Sequence, residues 1–302
     1  MPASPKKIWI DTDIIFNKPG EEIDDGLALM MAFNNPDVDI KGISLIHKVD
    51  NGYAVTKKLL GFYGDDSIPV YKGTDDATEG PGTKTEAVEK LANALEKDEL
   101  TIVAIGPATN IANLLEFYPE AAKNIKDIVF CAGRNKGISF LPENSNRGLP
   151  DYNFDLDPES FKRVLESDVQ VTFSGYEASS SIYLYEDDIK KIKENGRPGD
   201  EWIYNMLQPW LQRWKQGLEV EGFIPFDCCT IGHVLYPDYF KYKRNIAVQI
   251  NVRKNDCGAV IKADQKPFLE VSYDFDSPYT VDFVHQTYPS YKQVIMNDLL
   301  GK

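Results

Sequence analysis

Five short strand-like runs, several of them apolar nearly throughout, punctuate the first part of the chain: Lys7–Asp11, Asp39–Ile46, Leu100–Gly106, Asp127–Cys131 and Val169–Ser174. A strand without polar alternation is buried on both faces, as in a parallel sheet covered by helices. Amphipathic stretches of helical period lie between these runs at Asp24–Asn34, Gly52–Tyr63, Lys84–Glu96 and Ala108–Tyr118, with another at Asp157–Ser167. Strand then helix, repeated, is the rhythm of βαβ units. The expected fold class is therefore α/β, with three layers and a mostly parallel central sheet flanked by helices. After about Tyr185 the texture changes. A helical stretch Asp200–Gln216 carries Trp202, Trp210 and Trp214, a further helix starts near Asp227, and alternating segments at Asn245–Arg253 and Phe268–Tyr273 predict a small antiparallel addition near the C-terminus. No repeat or Pro/Gly linker interrupts the chain. With 302 residues and 42% hydrophobic content it has enough apolar material for one large core, so residues 1–302 are expected to form a single domain.

The charge balance narrows the partners. Forty-seven acidic residues against 33 basic ones give a formal charge of −14 with no Lys/Arg-rich run. Such a surface repels nucleic-acid phosphate, so no nucleic-acid partner is expected. No stretch approaches the roughly 18 apolar residues needed to span a bilayer, so none is expected to enter a membrane. Cys131, Cys228, Cys229 and Cys257 have no zinc-like or disulfide-framework spacing and read as free thiols of a reducing compartment. The expected location is cytoplasmic, or periplasmic had an export signal been removed.

Chemistry concentrates at the end of the first run. Asp11 and Asp13 close a buried strand, a loop follows, and Asp24 and Asp25 open an apolar helix. In open α/β sheets ligands bind beyond the carboxyl ends of the strands. Either pair alone is explained by a strand end or a helix first turn. Four carboxylates gathered at that edge repel one another by several kcal/mol, on the order expected for a partly desolvated cleft, unless a cation sits among them. Hard oxygen ligands favour Ca²⁺, with Mg²⁺ possible, over zinc.

This stretch resembles the fingerprint of the inosine–uridine-preferring nucleoside hydrolase family: a strand, Asp-x-Asp, a Gly-containing turn, then Asp-Asp and an apolar helix. The loop between the pairs is several residues longer here. Further along, Gly106-Pro-Ala-Thr-Asn is similar to the family's Gly-Pro-Leu-Thr-Asn turn, and Ile128-Val-Phe-Cys-Ala-Gly to a segment lining the sugar pocket. Asp151-Tyr-Asn-Phe-Asp-Leu-Asp-Pro-Glu looks like the family's Glu-Phe-Asn segment, and Phe226-Asp-Cys-Cys resembles the helix start that supplies the last metal carboxylate.

The resemblance implies metal-dependent hydrolysis of the N-glycosidic bond of a ribonucleoside or related riboside, in nucleoside salvage. It implies metal ligation by Asp13, Asp25, Asp227 and the Thr109 carbonyl, with Asp13 taking a proton from water. Asp24 then binds a ribose hydroxyl, Asn153 and Asp151 bind the sugar, and Asp11 orients its neighbours. Asn144 or Asn146 supplies another sugar contact, with Asn146 the candidate. The partner is a small nucleoside, and a homo-oligomer, dimer or tetramer, is expected. Phe226 stands where the family often has a leaving-group His. Of His47, His233 and His285, His47 lies past a strand end where it could face the substrate, whereas His233 sits two turns into a helix and reads as packed. Tyr176, Tyr183 and the Trp-rich helix offer stacking surfaces for a base, although such spacing also suits a core.

Two rivals remain open at this point. Asp11-Thr-Asp after a buried strand also suits a haloacid-dehalogenase-like phosphatase with an aspartyl nucleophile, for which Ser174 is available. The replacement at Phe226 also permits a non-catalytic sugar or nucleoside binder.

Overall fold

In the computed structural model, which describes residues 4–257 and 262–302, ten strands join in one sheet among the described residues. They are β1 (Lys6–Thr12), β2 (Val38–Leu45), β3 (Val70–Lys72), β4 (Leu100–Ala104), β5 (Ile125–Cys131), β6 (Arg134–Asn135), β7 (Val171–Ser174), β8 (Phe240–Lys254), β9 (Gln265–Val271) and β10 (Thr280–Thr287). Their spatial order is β3-β2-β1-β4-β5-β7-β10-β8-β9-β6. Neighbours from β3 through β10 run parallel, while β8 is antiparallel to both β10 and β9. The α/β class and the antiparallel addition near the C-terminus are both as the sequence pattern predicts.

Helices cover both faces: α1 (Asp24–Asn34), α2 (Val49–Tyr63), α3 (Glu86–Leu95), α4 (Thr109–Phe117), α5 (Pro119–Ala122), α6 (Tyr152–Leu156), α7 (Pro158–Leu165), α8 (Tyr176–Ser179), α9 (Glu186–Asn195), α10 (Asp200–Leu218), α11 (Phe226–Leu235) and α12 (Tyr291–Leu300). The first strand shows why its run is apolar throughout. Ile8 and Ile10 enter one core with residues of α1, α2, α10, α11 and α12, and Trp9 enters the other with residues of α3, α4 and α7. Successive side chains of a strand point to opposite faces, so two covered faces demand apolar residues at every position. Trp9 donates its indole N–H to Ser44 Oγ at 2.8 Å and stacks on Tyr71 at 5.8 Å. Gly42 makes room for it, since a Cβ there would sit 2.4 Å from the indole ring.

The chain passes from β1 outward through β2 and β3, then returns to the other side of β1 as β4. That reversal opens a crevice between the C-terminal ends of β1 and β4, where such sheets bind ligands. Gly106 lets the turn after β4 close onto it: an added Cβ would meet the Asp13 backbone nitrogen at 2.9 Å and Ile46 at 2.7 Å. The last strand, β10, is, with helices α9 and α12, an element the sequence pattern does not announce. Its buried residues Val281, Phe283 and Val284 lie between β7 and β8 and join the parallel body to the antiparallel addition.

Candidate active site

Above the C-terminal ends of β1, β4, β5 and β7 lies a cavity of about 400 Å³ with two unlike halves. Asp13, Glu22, Asp24, Asp25, Asp227 and Asn153 line the acidic half. Phe140, Tyr176, Trp210, Trp214 and Phe226 line much of the other.

Two helix starts build the acidic half. Asp24 and Asp25 occupy the first turn of α1, and Asp227 the first turn of α11. The positive end of each helix dipole favours an acid there, though by only about 0.3–1 kcal/mol each. That gain does not cover the cost of their proximity. Carboxylate oxygens of Asp24, Asp25 and Asp227 all lie within 4.8 Å of one another, and all three residues are buried. Burial pushes each carboxyl well above the usual range, and neighbouring charges push it further: Glu22 then Asp25 for Asp24, Asp13 for Asp25, and Asp24 for Asp227. Asp13 is raised likewise, by burial and then by Glu22 and Asp24. Thr12 Oγ1 donates to Asp25 Oδ1, whereas Asp24 Oδ1 has no hydrogen-bond partner among the described residues. An unpaired buried oxygen beside two further carboxylates is the donor set of a hard cation, so the residues fit the metal expected from the sequence.

Asn153 sits beside this cluster with its roles fixed by geometry. Its amide nitrogen donates to Ile105 O at 3.2 Å and to Cys131 O at 3.1 Å. Both amide hydrogens are thereby committed, which leaves Oδ1 as an acceptor. Asp151 is buried in the wall, with Oδ2 accepting the Gly133 N–H at 2.9 Å. In the aromatic half Phe140 stacks on Tyr176 at 4.3 Å and 14°, Tyr176 lies 6.3 Å from Phe226, and Phe226 lies 6.3 Å from Trp214. Helix α10 presents Trp210, Arg213, Trp214, Gly217 and Leu218 to the cavity, positions three, four and seven apart that share one face.

The model of the inosine-uridine preferring nucleoside hydrolase family matches residues 8–285. This chain belongs to that family. Members are N-glycosyl hydrolases, and so is this chain. The pyrimidine-specific ribonucleoside hydrolase RihB of Escherichia coli O157:H7 is 25% identical to it over 285 residues, covering 83% of this chain and 85% of the relative. Among solved structures, a plant nucleoside hydrolase superposes with a TM-score of 0.79 at 19% identity, covering 98% of this chain and 99% of that one. A purine-preferring ribonucleoside hydrolase from Gardnerella vaginalis superposes with a TM-score of 0.76 at 18% identity, covering 98% of each chain.

Within this nucleoside hydrolase fold, the structure brings Asp13, Asp24, Asp25, Asp151, Asn153 and Asp227 to one cavity. Three of the expected residues are not brought to this cavity. Thr109 does not line the cavity: it is the first residue of α4, and its hydroxyl donates to Asp157 Oδ2 at 2.6 Å. A carbonyl inside a helix is committed to the N–H four residues on, so it is a poor ligand. Ile105 and Cys131 do line the cavity, and the carbonyl of each accepts from Asn153. Asn146 is exposed, and neither it nor Asn144 lines the cavity; the same loop contributes Arg147, Gly148 and Leu149 instead. His47 is held in a left-handed backbone conformation (φ 59°) beside Asp76, 3.9 Å away, and is also outside the cavity.

The remaining candidates are placed around and behind the cavity. Asp11 lies wholly buried behind the site, accepting from Ser44 Oγ and from Asn110 Nδ2 at 2.9 Å, and burial lifts its carboxyl to about 7. That position suits an orienting residue and excludes it as the nucleophile of a phosphatase, which must touch the substrate. His233 is packed in α11 with Nδ1 2.9 Å from Tyr242 Oη. Trp210, Trp214 and Tyr176 face the cavity, whereas Trp202 packs on Phe16 and Phe62, and Tyr183 accepts the Glu143 N–H at 2.8 Å. Among the lining residues that the sequence reading does not single out are two charged ones, Glu22 and Arg213. Glu22 arrives because Gly20, at φ 88°, turns the long loop back over the site, and Arg213 comes from α10, donating to Gly20 O at 3.2 Å. A Pro-Gly turn followed by two glutamates is the only local signal for the first.

Proposed function

We propose that this chain hydrolyses the N-glycosidic bond of a ribonucleoside or related riboside, releasing ribose and the free base. The convergence of Asp24, Asp25 and Asp227 within 4.8 Å, facing an aromatic half-cavity, carries this reading. The acidic half suits a cation and a sugar diol, and the aromatic half suits a flat base. Asp25, Asp227 and Asp13, with Asp24 in the same cluster and the Ile105 or Cys131 carbonyl beside them, would hold a divalent ion, of which Ca²⁺ best matches oxygen donors. When bound, such an ion lowers the pKa of a coordinated water and grips vicinal hydroxyls.

The chain's own groups do the rest. Asp13 accepts a proton from the attacking water. Asp24, through its unpaired Oδ1, accepts from a ribose hydroxyl, and Asn153 Oδ1 accepts from another. Asp151 stands at the far end of the sugar. These acceptors crowd negative charge around a ring whose transition state is an oxocarbenium-like cation. The base departs into the wall of Phe140, Tyr176, Phe226 and Trp214, which stacks it and excludes water. Ribose and base are the products, and a salvage role follows from them.

Turnover tests this reading directly. Purified protein with Ca²⁺ is incubated with inosine, uridine and p-nitrophenyl riboside, and reducing sugar is measured before and after chelation. Release that stops on chelation and returns with Ca²⁺ is expected. Phe226 occupies the leaving-group wall and none of the three histidines lines the cavity, so base departure relies on stacking. Tight riboside binding with no sugar released from any of the three substrates would overturn the reading.

A further inference from the structure

The aromatic half of the cavity is a continuous band of rings. Phe140, Tyr176, Phe226, Trp214 and Trp210 follow one another with ring centroids 4.3, 6.3, 6.3 and 6.2 Å apart. Tyr176 adds a ring to that band rather than a proton donor, since its hydroxyl oxygen is buried. The faces of aromatic rings carry negative charge, so a band of them suits a flat cation, as aromatic cages suit quaternary ammonium groups. Six carboxylates and two guanidiniums also line the cavity. Both guanidiniums are turned to backbone: Arg147 donates to Gly217 O at 2.6 Å and Arg213 to Gly20 O at 3.2 Å. Rings and acids together favour positive charge on whatever enters.

The chemistry of departure points the same way. When the bond between the anomeric carbon and the base nitrogen breaks, both electrons stay on nitrogen, and an uncharged base leaves as an anion unless a proton meets it. Phe226 occupies the wall where the base departs, and none of the three histidines lines the cavity. A base that already carries a fixed positive charge, such as an N-ribosyl pyridinium or an alkylated purine, leaves as a neutral molecule. The two electrons cancel its charge, water gives a hydroxyl to the anomeric carbon, and the remaining water proton passes to Asp13 and on to solvent. No other co-reactant is needed. We infer that the preferred substrates are ribosides whose base is a permanent cation. The inference rests on the proposed riboside reading and names its substrate class.

Two measurements on the full chain test it. The first needs no turnover: calorimetry in the presence of Ca²⁺ compares 1-methylnicotinamide, a pyridinium, with 3-methylbenzamide, which has the same shape and no charge. The cation is expected to bind at least about tenfold more tightly, as for a desolvated cation on ring faces. Trp210→Leu, at a half-buried position, should bring the two within about threefold of each other. Equal binding of the pair to wild type overturns the inference whether or not any riboside is hydrolysed. The second measurement is kcat/KM for nicotinamide riboside, inosine, uridine and p-nitrophenyl riboside. Nicotinamide riboside should exceed inosine and uridine by at least about a hundredfold, the low end of what proton supply contributes to a leaving group that needs it. Trp210→Leu should slow it more than it slows p-nitrophenyl riboside, whose leaving group needs no proton and carries no positive charge; equal losses overturn the inference. Inosine or uridine turned over as fast as the pyridinium riboside overturns it too and leaves the proposed function standing. Failure of wild type on every riboside would count against the proposed function, and calorimetry then decides alone whether the cavity selects cations. Should Trp210→Leu not fold, the calorimetric pair on wild type still decides.

Discussion

Asp24 and Asp227 belong to the first turns of two different helices, α1 and α11, and their carboxylate oxygens approach within 4.8 Å. With both carboxyls raised well above the ordinary aspartate range by burial and mutual charge, the ion-free folded state binds more protons than the unfolded one above about pH 4. Its stability therefore falls as pH rises through that window. Chelated protein is expected to melt at lower temperature near about pH 7.5 than near about pH 5.5, and Ca²⁺ should restore most at the higher pH. Asp227→Asn should raise the melting temperature of chelated protein and weaken Ca²⁺ binding at least about tenfold. Calorimetry with and without chelator decides; a chelated melting temperature that climbs with pH contradicts the account.

Asn153 spends both amide hydrogens on the Ile105 and Cys131 carbonyls. Asn153→Ala frees both carbonyls in a half-open site and removes the acceptor, so activity should fall about a hundredfold with a smaller loss of stability. Asn153→Asp is the sharper variant. It sets a carboxylate against two carbonyl oxygens, and roughly 1–3 kcal/mol of stability should go for the unsatisfied acceptors. Equal stability of the Asp and Ala variants in urea would show that the amide does not hold these strands.

The acid pairs were legible because their signal is local: Asp11, Asp13, Asp24 and Asp25 sit within one strand–loop–helix unit, and side-chain identity alone reveals the charge problem. Asp227 was legible only through resemblance, since a lone acid before an apolar helix reads as a cap. The Ile105 and Cys131 carbonyls beside Asn153 were not legible, because a backbone carbonyl has no residue type; the eye goes to Thr109, whose hydroxyl ties α4 to Asp157. Glu22 depends on how an irregular loop returns. The parallel sheet was legible from doubly apolar runs. Strand β10 was not, because adjacent buried Phe283 and Val284 break the alternation that marks a strand, and its place between β7 and β8 is a long-range choice that no local pattern encodes.

His233 gives a stability prediction independent of the site. It is packed against Tyr242 and Phe240, and burial first, then the charges of Arg244 and Lys6, lower it from 6.5 to about 4. Below about pH 6.5 the unfolded chain takes up a proton that the folded chain refuses until about pH 4, so stability present above that window is lost as pH falls through it. The loss at the acid end is about 3 kcal/mol. His233→Gln should flatten this segment of the stability–pH curve in urea titrations. An unchanged slope would mean that other groups set the acid limb.

Phe226 offers a gain-of-function test of the leaving-group wall. It lies between Tyr176 and Trp214, one residue before Asp227, so a histidine there would place a titratable nitrogen beside the departing base. General-acid help speeds a reaction by about 10²–10⁴ where the leaving group needs a proton, and by little where it does not. Phe226→His should therefore raise turnover of inosine by at least about tenfold, with a new fall in rate as the imidazolium loses its proton. Hydrolysis of p-nitrophenyl riboside, whose leaving group departs as a stabilised anion, should change less than about threefold. If both substrates respond equally, Phe226 acts through packing alone, and the departure of the base is governed by stacking rather than by proton supply.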